Sequence, residues 1–294
     1  MSVSAYEGPA KIKPPGFSEL YGRRTRPLYV VCSPIRRVGK TLVSRLITEM
    51  HFIDEEAVTA FDLADEGPQM VDFLPGTTAI SDIGDITGQM AFFDKLIADD
   101  DSAKVIDLSH RTFKNFFLVV NKIGFFEEAR RRSIEPVILF LIDQDPNAAK
   151  AYAILRRWFA DVAIIPVRSQ KTMPGGRSLE NFPLSSAVPL SVEVPVLSPA
   201  LTALVDQQSF SFSQFWNRSI ERLPERLDDE LRPWMKRVLL QFRQIELCVM
   251  CDGILSSLFP KDSAQGEQGN RRPSVQARLR CKPDFGASLT SVQA

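Results

Sequence analysis

The stretch SPIRRVGKT, residues 33–41, contains the residues of this chain whose types and spacing most clearly indicate chemistry. Gly39, Lys40 and Thr41 stand where the phosphate-binding pattern G-x-x-x-x-G-K-[ST] requires them, and Pro34 replaces its first glycine. In such a loop, backbone N–H groups at a helix N-terminus point at phosphate oxygens, the lysine ammonium neutralises those oxygens, and the threonine hydroxyl ligates Mg²⁺. The spacing therefore predicts a phosphate site with an altered first turn.

The residues at the start of this loop change its backbone and its charge. Proline accepts a turn position with φ of about −65°, so Pro34 is compatible with a tight turn out of a strand. Arg36 and Arg37 restrict the backbone more than glycine does, but they place two cations beside the expected phosphates. The residues predicted to contact the nucleotide are Arg36, Arg37, Val38, Gly39, Lys40, Thr41 and Leu42.

Two aspartates are expected at the ends of later strands. Asp62 lies in FDLADEGPQ, and Asp107 lies in VIDLSH. A site that hydrolyses a nucleotide needs a carboxylate at a strand end to hold the water shell of Mg²⁺, and a second acidic group can orient the attacking water. We predict Thr41 and Asp107 as metal-site residues and Lys40 and Asp62 as catalytic residues. The alternative is that these aspartates are ordinary turn or helix-capping residues.

From about residue 26 the chain alternates short apolar runs with amphipathic stretches. Strands are predicted in PLYVVCS, AVTAFDL, AKVIDLS, PVILFLID, DVAIIPVRS and VPLSVEVPVLS. Helices are predicted after the GKT and in ITGQMAFFDKLIADD, FKNFFLVVNKIGFFEEARRR and NAAKAYAILRRWFA. Buried strands that alternate with helices predict a doubly wound, mostly parallel α/β sheet, which places ligands at the carboxyl ends of its strands.

The pattern changes towards both ends of the chain. After Ser198 the sequence has no strand alternation and predicts helices, with Pro233 at the start of a long helix or at a kink in it. Prolines, glycines and basic residues dominate the beginning of the chain, and Gln, Ser and Gly dominate its end. We predict a flexible N-terminal arm at 1–25, a P-loop nucleotide-binding α/β domain at 26–200, a helical C-terminal extension at 201–260 and a disordered tail at 261–294.

The composition is typical of a soluble globular protein. The chain has 294 residues, a formal net charge of zero and 44% hydrophobic residues, so its overall charge does not attract nucleic acid or an anionic membrane. No apolar run approaches the roughly 18–20 residues that span a bilayer. The N-terminus lacks an apolar signal core, and four cysteines do not make a disulfide framework, so we expect a cytoplasmic protein.

The order of these motifs resembles the ParA/MinD-type ATPases, the deviant-Walker-A (SIMIBI-class) branch of the P-loop NTPases. The resemblance covers roughly residues 27–200 and rests on SPIRRVGKT and on the strands ending in FDLADEGPQ and VIDLS. It implies ATP and Mg²⁺ as cofactors, with Asp107 as the Walker B residue and Asp62 as the first Asp of the family's D-x-D-P-Q segment. It also implies a nucleotide-dependent homodimer, an unidentified protein partner, and a role of the partition, positioning or plasmid-transfer type.

The loop departs from that family at one functional position. The family normally carries a signature lysine that reaches across a dimer to the partner's nucleotide, and Ile35 occupies that position. Arg36 or Arg37 is a candidate replacement, since a guanidinium binds phosphate well. The resemblance also suggests Arg168, at the end of the fifth predicted strand, as a weak candidate for contacting the base.

Other residues that could take part in chemistry also have a purely structural interpretation. Cys248 and Cys251 form a C-x-x-C that lacks a second cysteine pair or a nearby histidine, so we interpret both as apolar filler in a helix. His51 and His110 are the only histidines and lie far apart in the sequence, which makes a histidine-based metal cluster implausible. Arg130–Arg132 and the basic tail are weak candidates for nucleic-acid binding and are otherwise solvated surface.

Three functional hypotheses follow from the sequence. The first is a Mg²⁺-dependent ATPase whose nucleotide state switches self-association or partner association. The second is a degenerate, non-hydrolysing P-loop protein that acts as a scaffold or partner-binding module. The third is a kinase or a small-molecule synthase on the same core, for which the sequence offers no substrate motif.

Overall fold

The computed structural model describes residues 25–63, 69–172, 181–184, 190–218 and 224–258, with side chains described up to residue 249. Within these ranges, seven parallel strands form one sheet in the order β3-β2-β4-β1-β5-β6-β7. The strands are β1 (Arg26–Cys32), β2 (Val58–Leu63), β3 (Thr78–Ile80), β4 (Ala103–Leu108), β5 (Ile134–Leu141), β6 (Ala163–Ser169) and β7 (Val192–Val194).

Helices flank both faces of the sheet. They are α1 (Lys40–Ile53), α2 (Met70–Phe73), α3 (Ile86–Leu96), α4 (Phe113–Ile123), α5 (Phe125–Arg131), α6 (Pro146–Trp158), α7 (Pro199–Val205), α8 (Phe212–Trp216) and α9 (Glu225–Leu258). The expected doubly wound, parallel α/β fold with helices at its C-terminal side is confirmed.

The central strand, β1, lies between β4 and β5, and alternate residues of it enter opposite hydrophobic layers. Leu28 and Val30 face α3, α4, α5 and α6, in a layer rich in phenylalanine. Tyr29 and Val31 face α1 and the C-terminal helices α7, α8 and α9. A strand that is buried on both faces has a continuous apolar sequence, which explains why PLYVVC contains no charged residue.

Some elements differ from the sequence-based expectation. The short edge strand β3 and the single-turn helix α2 were not predicted, and the predicted helix after β4 is two helices, α4 and α5. They meet at Gly124, whose φ of +66° ends α4 and begins α5. Pro233 lies inside α9, which begins eight residues earlier at Glu225. The predicted tail at 261–294 and nearly all of the predicted arm at 1–25 lie outside the described residues.

A buried charged pair on α1 fastens the C-terminal helices to the sheet. The guanidinium of Arg45 donates hydrogen bonds to the carbonyl oxygens of Val205 (2.8 Å) and Phe210 (3.0 Å). One turn later, a Glu49 carboxylate oxygen accepts hydrogen bonds from the Ser211 hydroxyl and from the backbone N–H of Ser213. Both charged side chains are buried, so α1 is the element on which the segment between α7 and α8 is oriented.

Burial acts against the charge of both members of this pair. Loss of hydration lowers the pKa of Arg45 to about 10, although Glu49 and Asp206 oppose the change. Burial likewise raises the pKa of Glu49, against hydrogen bonds from Ser211 and Ser213 and the charge of Arg45. Each charge therefore depends on the other and on the surrounding donors and acceptors.

We expect Glu49→Ala to lower the free energy of unfolding by about 1.5–3 kcal/mol, because it removes a buried carboxylate that accepts hydrogen bonds from Ser211 and Ser213 and offsets part of the charge of Arg45. Urea unfolding followed by circular dichroism measures the change. Asp94→Ala, at an exposed position on α3, is the control and should stay within about 0.5 kcal/mol of wild type. Equal stabilities for the two variants would contradict the role assigned to the pair.

Among the residues that the structure describes, no helix combines the length and the apolar character needed to cross a membrane.

Candidate functional site: the loop between β1 and α1

The loop between β1 and α1 lies at the carboxyl edge of the sheet. Two of its residues adopt left-handed backbone conformations: Arg37 has a φ of +57°, and Gly39 has a φ of +98°. At Gly39 an added Cβ would meet only Leu141 at 4.0 Å, so the backbone conformation, and not a lack of space, selects glycine. This glycine precedes Lys40, the first residue of α1, and its carbonyl oxygen accepts a hydrogen bond from the N–H of Val43.

Apolar residues of the loop hold it against the sheet. Val38 is buried in the layer that faces α1. Ile35 is partly buried and packs against both hydrophobic layers. Arg36 and Arg37, between them, are exposed at the surface. Position 35, which the sequence resemblance aligned with a signature lysine, is therefore an apolar packing position, and the loop's additional cations lie next to it on the surface.

Lys40 and Thr41 extend from the first turn of α1 in different directions. The Lys40 ammonium donates a hydrogen bond to the carbonyl oxygen of Ile35 at 3.0 Å, so its side chain lies across the loop. The Thr41 hydroxyl donates a hydrogen bond to a carboxylate oxygen of Asp107 at 2.7 Å. The loop therefore presents Lys40 together with Thr41, whose hydroxyl is hydrogen-bonded to the strand-end carboxylate of Asp107.

The two predicted aspartates lie opposite each other on adjacent strands. Asp62 on β2 and Asp107 on β4 are register partners, and each side chain is 1% exposed. A carboxylate oxygen of Asp62 also accepts a hydrogen bond from the backbone N–H of Val71 in α2 at 3.2 Å. Sequence analysis missed α2, because a single helical turn carries no periodic signal, and so it missed this donor.

Burial dominates the electrostatics of Asp107. Loss of hydration raises its pKa to about 6, and the negative charge of Asp62 adds to the increase. The hydrogen bond from Thr41 and the charge of Lys40 oppose it. Two carboxylates side by side in a poorly hydrated setting repel each other, and a nearby divalent cation would relieve that repulsion.

The structure places most of the predicted site residues close together. Gly39, Lys40, Thr41, Asp62 and Asp107 lie around the carboxyl ends of β1, β2 and β4. Leu42 packs against the hydrophobic layer under α1, so it would contribute to a nucleotide site only through its backbone. The segment 64–68, which includes most of the resemblance to D-x-D-P-Q after Asp62, lies outside the described residues.

Other candidates from the sequence form structural contacts. Arg168 pairs with Glu193 across β6 and β7 at 2.8 Å. Arg130 pairs with Glu135 at 2.7 Å, and both Arg131 and Arg132 pair with Glu128, which fits the solvated-surface interpretation of this basic run. Cys248 is partly buried and packs against the layer under α9, while the side chain of Cys251 lies outside the described residues.

No protein-family model and no curated protein sequence matches the chain. Among solved structures, it is similar to a chain of the MinC:MinD cell division protein complex from Aquifex aeolicus. The similarity covers 75% of this chain and 95% of that chain, with a TM-score of 0.45 and 11% sequence identity. A similarity of this degree does not transfer a ligand or an activity.

We expect Gly39→Ala to destabilise the protein by about 1–2 kcal/mol, because a side chain at φ +98° strains the backbone. Gly76→Ala is the matched control: no atom lies within 4 Å of an added Cβ there, and its φ is outside the left-handed region. Chemical denaturation of both variants measures the difference. Equal stability of Gly39→Ala and Gly76→Ala would contradict the left-handed backbone conformation assigned to Gly39.

Proposed function

We propose that this chain is a ParA/MinD-like protein that binds ATP with Mg²⁺ and uses its nucleotide state to switch association with a second copy of itself or with a protein partner. The proposed setting is the cytoplasm. Lys40 contacts the β- and γ-phosphates, and the backbone N–H groups of the loop and of the first turn of α1 receive phosphate oxygens.

The observation that carries this proposal is the contact between the Thr41 hydroxyl and the buried carboxylate of Asp107 at 2.7 Å. It joins the first turn of the helix after the phosphate loop to the end of the adjacent strand. Asp62 lies beside Asp107 in register. Turn or capping roles for the two aspartates do not by themselves account for this convergence on one loop.

The donor set at this point suits magnesium. Thr41 and Asp107 offer a hydroxyl and a carboxylate, and Mg²⁺ prefers such oxygen ligands and retains several waters. The bound ion would neutralise phosphate charge. Asp62, fixed by the N–H of Val71, is then placed to orient a water molecule, and Lys40 offsets the negative charge of the phosphates.

Exposed apolar side chains lie on two elements close to Asp62 in the chain, β3 and α3. Ile80 on β3 is 67% exposed, and Ile86 and Met90 on α3 are also largely exposed. Ile80 is the register partner of Asp62, and the N–H of Ser81 donates a hydrogen bond to the Asp62 carbonyl oxygen at 3.1 Å. A change at Asp62 would therefore reach the edge strand β3 through the backbone.

One observation favours the non-hydrolysing scaffold as a second candidate. Ile35, at the signature-lysine position, packs against both hydrophobic layers and cannot carry charge to a partner's nucleotide. Hydrolysis coupled to a dimer would then require Arg36 or Arg37. The two candidates share nucleotide binding and differ in turnover.

We expect Lys40→Ala to weaken binding of ATP with Mg²⁺ by about 10- to 100-fold, since a hydrogen bond to a charged group contributes about 1.5–3 kcal/mol. Equilibrium binding of a fluorescent ATP analogue measures the change. Lys95→Ala removes an exposed lysine from α3 and should bind like wild type. Nucleotide affinity that is absent in wild type, or unchanged in Lys40→Ala, would exclude both the ATPase and the nucleotide switch.

Separate Arg36→Ala and Arg37→Ala variants distinguish an ATPase from a scaffold. If one arginine replaces the signature lysine, its removal should lower ATP turnover by at least about tenfold while ATP binding changes much less. Phosphate release measures turnover, and light scattering with and without ATP measures dimerisation. Measurable ATP binding with no turnover in the wild-type protein would favour the scaffold. Turnover that is unchanged in both variants would show that neither Arg36 nor Arg37 takes over the role of the signature lysine.

A further inference from the structure

At the end of α1 opposite the phosphate loop, the chain turns back so that two acidic side chains approach one buried histidine. His51 is 1% exposed, and its Nδ1 lies 3.0 Å from a carboxylate oxygen of Glu56. Two backbone features produce this approach: the N–H of Glu56 donates to the His51 carbonyl oxygen at 2.8 Å, and Glu55 has a φ of +57°.

The second carboxylate comes from a distant part of the chain. Glu246 lies on α9, and one ligand atom from each of His51, Glu56 and Glu246 lies within 4.8 Å of the others. A bidentate ion pair between Arg243 and Asp54 fixes α9 against the same turn. Three separate segments thus place one imidazole and two carboxylates together.

A second observation, on the neighbouring polar atoms, favours a ligand at this position. Tyr29 on β1 is 2% exposed, and its hydroxyl has no hydrogen-bond partner among the described residues. The Nε2 of His51 is likewise buried without a partner there. The Tyr29 ring lies beside the His51 ring, and their centroids are 6.2 Å apart. Buried polar atoms without partners are rare in folded proteins and need an explanation.

We propose that His51, Glu56 and Glu246 bind a divalent transition-metal ion, of which zinc is the representative. One imidazole with two carboxylates suits Zn²⁺, whose sites often combine three protein ligands with a water molecule. The ion offsets the repulsion between the two glutamates. Its water gives the buried polar atoms beside the site, such as the Tyr29 hydroxyl, a hydrogen-bond partner.

This site is distinct from the proposed magnesium site. Thr41 and His51 are ten residues apart on α1, which corresponds to about 15 Å along the helix. The ligands also differ, because an imidazole favours zinc over magnesium. By joining α1, the turn after it and α9, the ion fastens the long C-terminal helix to the helix that begins at the phosphate loop.

Zinc titration of the metal-stripped, full-length protein without nucleotide tests the proposal. Isothermal titration calorimetry should show one tight equivalent of Zn²⁺, and zinc should raise the thermal unfolding midpoint. His51→Ala and Glu246→Gln should each weaken zinc binding by more than about 100-fold, because loss of an outer-shell partner of a metal ligand already costs about 10- to 100-fold. Circular dichroism confirms that each variant is folded. Glu246→Gln nearly preserves side-chain size, so it remains informative if His51→Ala does not fold.

The controls separate this site from other sources of zinc affinity. Glu55→Gln removes the same charge at the neighbouring exposed residue and should leave zinc binding unchanged. His110→Ala, at the other histidine, and Lys40→Ala, in the loop after β1, should also bind zinc like wild type. The zinc measurement can therefore be interpreted even if the protein does not bind nucleotide.

Three outcomes would overturn the proposal. The first is no stoichiometric zinc binding in wild type, which would leave a histidine held between two glutamates. The second is wild-type affinity in Glu246→Gln. The third is a loss of binding in Cys248→Ser that matches the loss in Glu246→Gln, because the ion would then depend on the cysteine pair of α9.

Discussion

The hydrogen bond from Thr41 to Asp107 defines the geometry of the candidate site. It connects the helix that follows the loop after β1 with the strand beside β1, and it joins a half-buried hydroxyl to a buried carboxylate. A carboxylate with a raised pKa needs such a partner, because burial disfavours its charge. The loop glycine leads directly into the helical turn that carries Thr41, and the register of β2 against β4 places Asp62 beside Asp107.

Helix α1 carries three different contacts along its fourteen residues. Its first turn holds Lys40 and Thr41, its middle binds the C-terminal helices through Arg45 and Glu49, and its end places His51 near Glu246. A rigid helix transmits a displacement at one end to the other, so the loop and the C-terminal helices are mechanically connected. This connection is a physical basis on which a displacement of the loop would reach the C-terminal helices.

Sequence patterns predicted those parts of the fold that repeat along the chain. The alternation of apolar runs and amphipathic stretches predicted β1, β2, β4, β5 and β6 and their helices, because each is long enough to show its period. The three-residue strand β3 and the four-residue helix α2 are too short to show one. The sequence also placed Thr41, Asp62 and Asp107 in strand and helix contexts that let them meet. It did not reveal the cluster around His51, because Glu246 approaches it only through the docking of α9.

The docking of α7, α8 and α9 also affects how this protein unfolds. These helices follow the strand region in sequence, yet they share one continuous apolar layer with α1 and the central strands. A fragment ending near Ser198 would leave the Arg45 guanidinium without its carbonyl acceptors and expose the apolar side of α1 to water. The change in sequence pattern at that point therefore marks a change in secondary structure within one cooperative unit, and the sheet and the terminal helices should melt in a single transition.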